Sequence, residues 1–326
     1  MRTESSSRAR VFARARLILI VNADYTLQVA DGLRIAVNES GDPRGHPVFF
    51  FHGWPASRLQ GAGFGPDAAG LGLRIIAPDR PGVGLSSPQP GRRLLDWPPI
   101  VRQLAEQLGL TRFLVLAVSG GGPYGLATTH ALPDRVEAAA IVSGAPPLAA
   151  GVKSRDLMLT YRWLLALHAR WPAALRHVFY FARPFVRTRP PRWVRPFLLW
   201  CIPPNDRRAL RDPNVFEGSW ECYAEAWRGS GHGVFADAEL YARAWGFDLS
   251  DVQRPVRLWH GKSDHAFSWR LAETLARKLP HCTARFVENE GHFSLPIRHS
   301  RAILQDLLAA RDENRPMPAL NAEAGR

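Results

Sequence analysis

Three cysteines in 326 residues, Cys201, Cys222 and Cys282, are too few and too widely spaced for a disulfide framework. No CxxC pair or His/Cys ligand spacing accompanies them, which sets aside a structural zinc. That scarcity fits a reducing compartment. Long apolar runs are missing too. "LILIV" (17–21) is too short for a signal-peptide core, and nothing approaches the roughly 18 apolar residues of a membrane span. The chain therefore reads as soluble and cytoplasmic, with no integral membrane segment. No internal repeat is present.

Acidic residues are scarce as well, 29 against 42 Lys and Arg, for a net charge of +13. Where that excess sits decides what it implies. Residues 1–16 hold five arginines and one glutamate, and residues 151–212 hold thirteen Lys/Arg against three Asp. The rest of the chain is close to neutral. A nucleic-acid module would gather its charge on a compact basic face with a recognisable motif. Here it lies on a terminal tail and on one Trp/Pro/Arg-rich internal stretch, so nucleic acid is not an expected partner.

A hydrophobic fraction of 46% supports a large core. "YTLQVA" (25–30) and "LRIAVNES" (33–40) alternate with period two around Asp31-Gly32, the pattern of a β-hairpin. The later runs are nearly continuous and short: "PVFFFHG" (47–53), "LRIIAPD" (73–79), "FLVLAVS" (113–119), "AAAIVSG" (138–144), "VRLWHG" (256–261) and "ARFVEN" (284–289). Strands buried on both faces of a parallel sheet have that texture. Helical patterns over 100–110, 121–132, 268–279 and 300–313 alternate with them. The expectation is an α/β protein, a mostly parallel, doubly wound sheet with helices on both sides. Between Gly144 and about Phe247 no buried strand is evident, so that stretch is expected to be a helical insertion over the carboxyl edge of the sheet, where open α/β sheets bind ligands.

Chemistry is suggested at four strand ends. In "LVLAVSGGGPYGLA" (114–127), Ser119 stands where a strand should become a helix. A nucleophile elbow needs small residues two before and two after its serine, because the strained turn brings strand and helix close. Ala117 and Gly121 meet that need, with alanine where G-x-S-x-G has glycine. Taken alone, Ser119 is equally an N-cap serine. "FFFHGWPASR" (49–58) ends another strand, and backbone N–H groups of Trp54 and Gly120 are candidates to hold a developing oxyanion. Pro55 would then open the next helix. Asp264, in "VRLWHGKSDHAFS" (256–268) after a His260-Gly261 turn, and His292, behind a glycine in "FVENEGHFSLP" (286–296), follow in the order Ser, Asp, His. His292 would take the serine proton and return it to the leaving group, and Asp264 would hold the imidazole tautomer. Asp248 is an alternative acid, but it lies before its strand rather than beyond it. His265 adjoins Asp264 and would point elsewhere.

These motifs, with "PDRPGVGLSS" (78–87), resemble the α/β-hydrolase superfamily from about residue 25 to 313. The resemblance implies an eight-stranded α/β-hydrolase fold with a helical cap. It places the core over 25–146 and 236–313 and the cap over 147–235, while composition marks a disordered basic leader over 1–24 and a flexible tail over 314–326. It further implies a triad of Ser119, Asp264 and His292, no cofactor and no metal, and a small hydrophobic acyl substrate cleaved as a carboxylic ester. "HGWP" also occurs in epoxide hydrolases and dehalogenases of this fold, but those use an aspartate where this chain has Ser119. Perhydrolase or haloperoxidase chemistry, carbon–carbon bond hydrolysis and a non-catalytic ligand-binding role are the alternatives. A monomer or homodimer is expected. Six tryptophans between Trp163 and Trp227 are expected to pack the cap onto the sheet, its arginines being solvated. An apolar pocket with a basic rim, or docking on anionic membranes, are the other readings of that segment.

Overall fold

The computed structural model describes residues 21–313 apart from Gly151 and Lys153. The expected tail over 314–326, and residues 1–20 of the expected leader, lie outside the described residues. β1 (Val21–Gln28) begins four residues inside the segment read as leader, and pairs antiparallel with β2 (Arg34–Gly41) across the Asp31-Gly32 turn. The chain continues through β3 (His46–Phe51), the short helix α1 (Gly65–Gly70), β4 (Leu73–Pro78), α2 (Trp97–Gln107), β5 (Phe113–Val118), α3 (Gly122–Ala131) and β6 (Val136–Val142). Six helices follow without a named strand: α4 (Leu159–Arg170), α5 (Pro172–Arg187), α6 (Arg195–Trp200), α7 (Pro204–Leu210), α8 (Pro213–Ala226) and α9 (Gly231–Tyr241). Then come β7 (Val256–Gly261), α10 (Trp269–Lys278), β8 (Cys282–Val287), α11 (Ser294–Arg298) and α12 (Ser300–Glu313).

The eight strands form one sheet in the order β1-β2-β4-β3-β5-β6-β7-β8, parallel from β4 onward. Period-two alternation divides each central strand between two cores. Phe49 and Phe51 of β3, with Val115 and Ala117 of β5, pack under α2, α3 and α10. Val48 and Phe50, with Leu114 and Leu116, pack under α1 and α12. Runs such as "PVFFF" are apolar throughout because both faces are covered. β8 departs from that expectation. It is the sheet's edge, and Thr283 and Arg285 are exposed.

Parallel strands bring their carboxyl ends to one edge, and the helical insertion joins the core there. α9 runs through residue 235, where the cap is expected to end. The tryptophans are not what fastens the insertion. Trp227 is buried and Trp220 half-buried, but Trp163, Trp171, Trp193 and Trp200 are exposed. Polar and apolar contacts both attach the insertion. Ser57 Oγ donates to the Cys222 carbonyl (2.9 Å), and buried Arg58 bridges Asp24, Asp79 and Glu225 at 2.6–2.7 Å. A small apolar cluster of Val83, Leu175, Phe179, Trp227, Val234 and Phe235 completes the joint.

Candidate active site

β5 ends at Val118, and Ser119 then adopts φ = 52°, a left-handed conformation uncommon outside glycine. The chain turns at once into a 3-10 turn (Ser119–Gly121) and α3. Gly121 permits this, because any Cβ there would overlap the Phe51 carbonyl. The methyl of Ala117 meets α3 where the helix carries Gly125; a Cβ on that glycine would lie 2.7 Å from the alanine's. Ala117 is therefore tolerated by a glycine eight residues later.

Ser119 Oγ lies 2.8 Å from His292 Nε2, and His292 Nδ1 lies 2.8 Å from Asp264 Oδ2. All three side chains are buried. With Nδ1–H donating to the carboxylate, the Nε2 lone pair is left to accept the Ser119 hydroxyl proton. Asp264 is fixed from its other oxygen by the N–H groups of Ala266 (2.7 Å) and Phe267 (3.1 Å). Burial pushes its carboxyl up. The His292 charge and the His260 and His292 hydrogen bonds outweigh that and hold it far below the usual carboxylate range. Burial likewise lowers His292, but the neighbouring Asp264 charge and hydrogen bond leave it net raised. Such a chain can deprotonate a hydroxyl and then donate the proton onward.

His260 is not a turn residue. It ends its run inside β7, fully buried, with Nε2 2.9 Å from the Phe267 carbonyl and 3.3 Å from Asp264 Oδ2. Pro55 opens no helix either: Trp54-Pro55 is a cis turn, and the next helical turn begins at Arg58. Asp248 is exposed before β7, and His265 is exposed beside Asp264.

Trp54 and Gly120 approach closely; a Cβ on Gly120 would lie 3.0 Å from the Trp54 nitrogen. Among the described residues no acceptor meets the Trp54 backbone N–H, whereas its indole N–H donates to the Val234 carbonyl (2.8 Å). The Gly120 N–H belongs to a first helical turn, where no intrahelical carbonyl is available. Two N–H donors thus flank the space beside Ser119.

Three groups that frame this site are absent from the sequence reading. Asp206, from α7 of the insertion, accepts from the backbone N–H groups of His292 (3.1 Å), Phe293 (2.8 Å) and Ser294 (2.8 Å). It also explains Gly291, whose Cβ would overlap the Asp206 carboxylate, so the glycine makes room for it. Arg80 donates to the carbonyls of His52 (2.6 Å) and Gly53 (3.0 Å), fixing the turn that carries Trp54. The Tyr241 hydroxyl, on α9, is buried without a partner among the described residues, 2.6 Å from where a Gly120 Cβ would be.

The cavity over Ser119 is walled by α4, α5 and α9 together with Trp54 and Phe267. Its polar groups are the Ser119, Tyr161 and Tyr241 hydroxyls and the His168 imidazole. Arg, Lys, Asp and Glu are absent from this lining. A basic rim is thus not found at the cavity wall.

The sequence model of a family described as alpha/beta hydrolase fold matches residues 46–297. Over 125 residues the chain is 34% identical to a non-heme chloroperoxidase of Streptomyces lividans, a match covering 38% of this chain and 45% of that protein. Over 118 residues it is 34% identical to a proline iminopeptidase of Neisseria gonorrhoeae, covering 34% and 36%. The chain thus spans less than half the length of these curated relatives. Among solved structures, a bromoperoxidase from Bacillus anthracis superposes with a TM-score of 0.65 at 20% identity, covering 89% of this chain and 100% of that one. An esterase from Thermogutta terrifontis superposes with a TM-score of 0.62 at 20% identity, covering 89% and 99%. With three quarters of its length inside the family match and the sheet described above, this chain belongs to the alpha/beta hydrolase fold family.

Proposed function

We propose that the protein is a serine hydrolase that cleaves carboxylic esters of small, neutral, apolar substrates through an acyl-enzyme. The observation that carries this reading is the hydrogen-bonded run from Asp264 through His292 to Ser119, ending beside the Trp54 and Gly120 N–H groups. Ser119 Oγ attacks the carbonyl carbon while its proton passes to His292 Nε2. The negative charge that forms on the carbonyl oxygen is held by the two N–H groups. His292 returns the proton to the departing alkoxide, the alcohol leaves, and the acyl group stays on Ser119. Water then attacks the ester with His292 as base, releasing the acid and restoring the serine.

An apolar wall without charged side chains favours a neutral acyl group. It also argues against an aminopeptidase role, because a substrate's ammonium group would find no carboxylate there. The test is labelling with a fluorophosphonate. Stoichiometric modification of the peptide containing Ser119 supports the reading, and a folded protein that stays unlabelled overturns it. A second reading, favoured by the relatives named as chloroperoxidase and bromoperoxidase, is attack of hydrogen peroxide on the same acyl-enzyme. Acetate-dependent formation of peracid would distinguish it from hydrolysis.

The raised His292 value gives the pH dependence a sign. Only neutral imidazole accepts the serine proton, so kcat/KM should rise with pH along a limb whose midpoint lies above the ordinary histidine value of 6.5. Asp264→Asn removes the charge that raises it. That variant should shift the limb to lower pH and lower kcat about 10^4-fold. A limb that does not move would remove Asp264 from its assigned role.

Asp206 is proposed as a positioning residue for His292. Asp206→Ala leaves three backbone donors without their carboxylate. The expected cost is about 2–3 kcal/mol of stability and up to about 100-fold in kcat through a displaced imidazole. Asp206→Asn, which keeps an oxygen for two of the three donors, should recover part of both. Wild-type kcat in Asp206→Ala would show that the loop holds its place unaided.

A further inference from the structure

From Leu157 to Asn205 the chain contains eight arginines and neither aspartate nor glutamate. This stretch holds α4, α5 and α6. Among the described residues only Arg189 of the eight faces a carboxylate, that of Glu217. Among the described residues the same stretch carries most of the exposed large apolar side chains: outside it, only Leu85 and Ile297 are comparable. Trp163, Trp171, Phe181, Phe185, Trp193 and Trp200 all project outward, Phe185 and Trp193 being 79% and 81% exposed.

α5 shows how deliberately the two faces are divided. Leu175 and Phe179 turn inward, joining the apolar joint and lining the cavity over Ser119. Val178, Phe181 and Phe185, at helical spacing, form an outer stripe. Arg176 and Arg187 are exposed on the other flank of the same helix, while Arg183 donates to the Trp227 and Arg228 carbonyls. Burial of the protein's own core does not account for that stripe.

We propose that this face of the insertion docks on the surface of an anionic phospholipid bilayer. Trp and Phe suit the boundary between headgroups and acyl chains, and arginine reaches past them to the phosphates. Each cation near such a surface strengthens the attraction about fivefold, so several arginines without a carboxylate partner make it substantial. A second copy of the chain fits the face poorly, since two copies of a stretch rich in arginine and without an acid of its own would set like charge against like. No described helix is long and apolar enough to cross the bilayer, so the contact is peripheral. The proposal is independent of the chemistry at Ser119, and its test does not read activity.

The full chain would be sedimented with vesicles of phosphatidylcholine alone and of phosphatidylcholine mixed with phosphatidylserine. Partitioning to the anionic vesicles is expected to exceed that to neutral ones by about tenfold or more, and to fall as salt is raised. Phe181→Ser with Phe185→Ser, and separately Arg187→Glu with Arg192→Glu, should each weaken binding about tenfold with melting temperatures unchanged. These residues touch neither the cavity nor the core, so folding is preserved. Absence of binding, or equal binding to both vesicle types, overturns the proposal. Residues 1–16 carry five arginines of their own. Binding that survives both variants in full therefore belongs to another part of the chain and overturns it too. A dimer in sedimentation velocity that the same variants dissolve would assign the face to self-association instead.

Discussion

Ser119→Ala is expected to lower kcat on a cleaved ester by about 10^4- to 10^6-fold while leaving the melting temperature near that of the wild type. The size of the loss follows from the covalent route, because no other hydroxyl in the cavity stands against a histidine that is itself held by a carboxylate. Stability should change little, since Ser119 Oγ meets one partner, His292, which keeps its bond to Asp264. The decisive measurement is the double variant. Ser119→Ala, His292→Ala and the two combined should lose similar amounts, because a nucleophile without its base and a base without its nucleophile fail at the same step. If the two losses multiply, the residues act separately and the proposed proton transfer is wrong. A Ser119→Ala enzyme retaining more than about 1% of kcat would move the chemistry elsewhere.

How much of this was legible in the sequence depended on how locally each feature is determined. Each of the eight strands appears within a few residues of its expected place, because the alternation of the first hairpin and the apolar runs of strands covered on both faces each show within about six residues. β8 reads differently because being at the edge is a property of the sheet's order. Ser119, Asp264 and His292 could be singled out because each follows a strand, and parallel strands bring such positions to one edge. The groups that hold them were out of reach. Asp206 meets the His292 loop from 86 residues away, and Asp237 meets Arg80 across 157. In the sequence both are ordinary acids on helices. Gly291 and Gly125 show a related limit: the glycine is visible, but the carboxylate or methyl for which it makes room is not. The tryptophans mislead because aromatic content does not say which side of a helix is covered: ion pairs, hydrogen bonds and other apolar side chains join the insertion to the core, while four of its tryptophans stay exposed.

Asp237→Ala is expected to be the most destabilising single substitution considered, at about 3–5 kcal/mol, or a fall in melting temperature of about 10 °C. Asp237 is fully buried on α9, paired with Arg80 at 2.5 Å and with Arg92, and it accepts from the Tyr124 hydroxyl at 2.7 Å. Burial pushes its carboxyl up, but the two guanidinium groups pull it down to about 2. A depressed carboxylate contributes stability that is present above its ordinary value of 3.8 and is lost as pH falls through about 2. Removing it leaves two buried cations facing one another without a counter-charge, which costs more than the pair's net worth. The damage should also reach the chemistry. Arg80 holds the His52 and Gly53 carbonyls, so its displacement loosens the turn that presents the Trp54 N–H. Asp237→Ala should therefore lower kcat more than it raises KM, even at temperatures where it is fully folded. Asp237→Leu combined with Arg80→Met and Arg92→Met removes all three charges together. That triple variant should recover much of the lost stability, yet not the activity, since the carbonyls remain unheld. A triple variant as unstable as Asp237→Ala would show that stranded charge is not the source of the loss, which would then lie in the unpaired carbonyls and the packing.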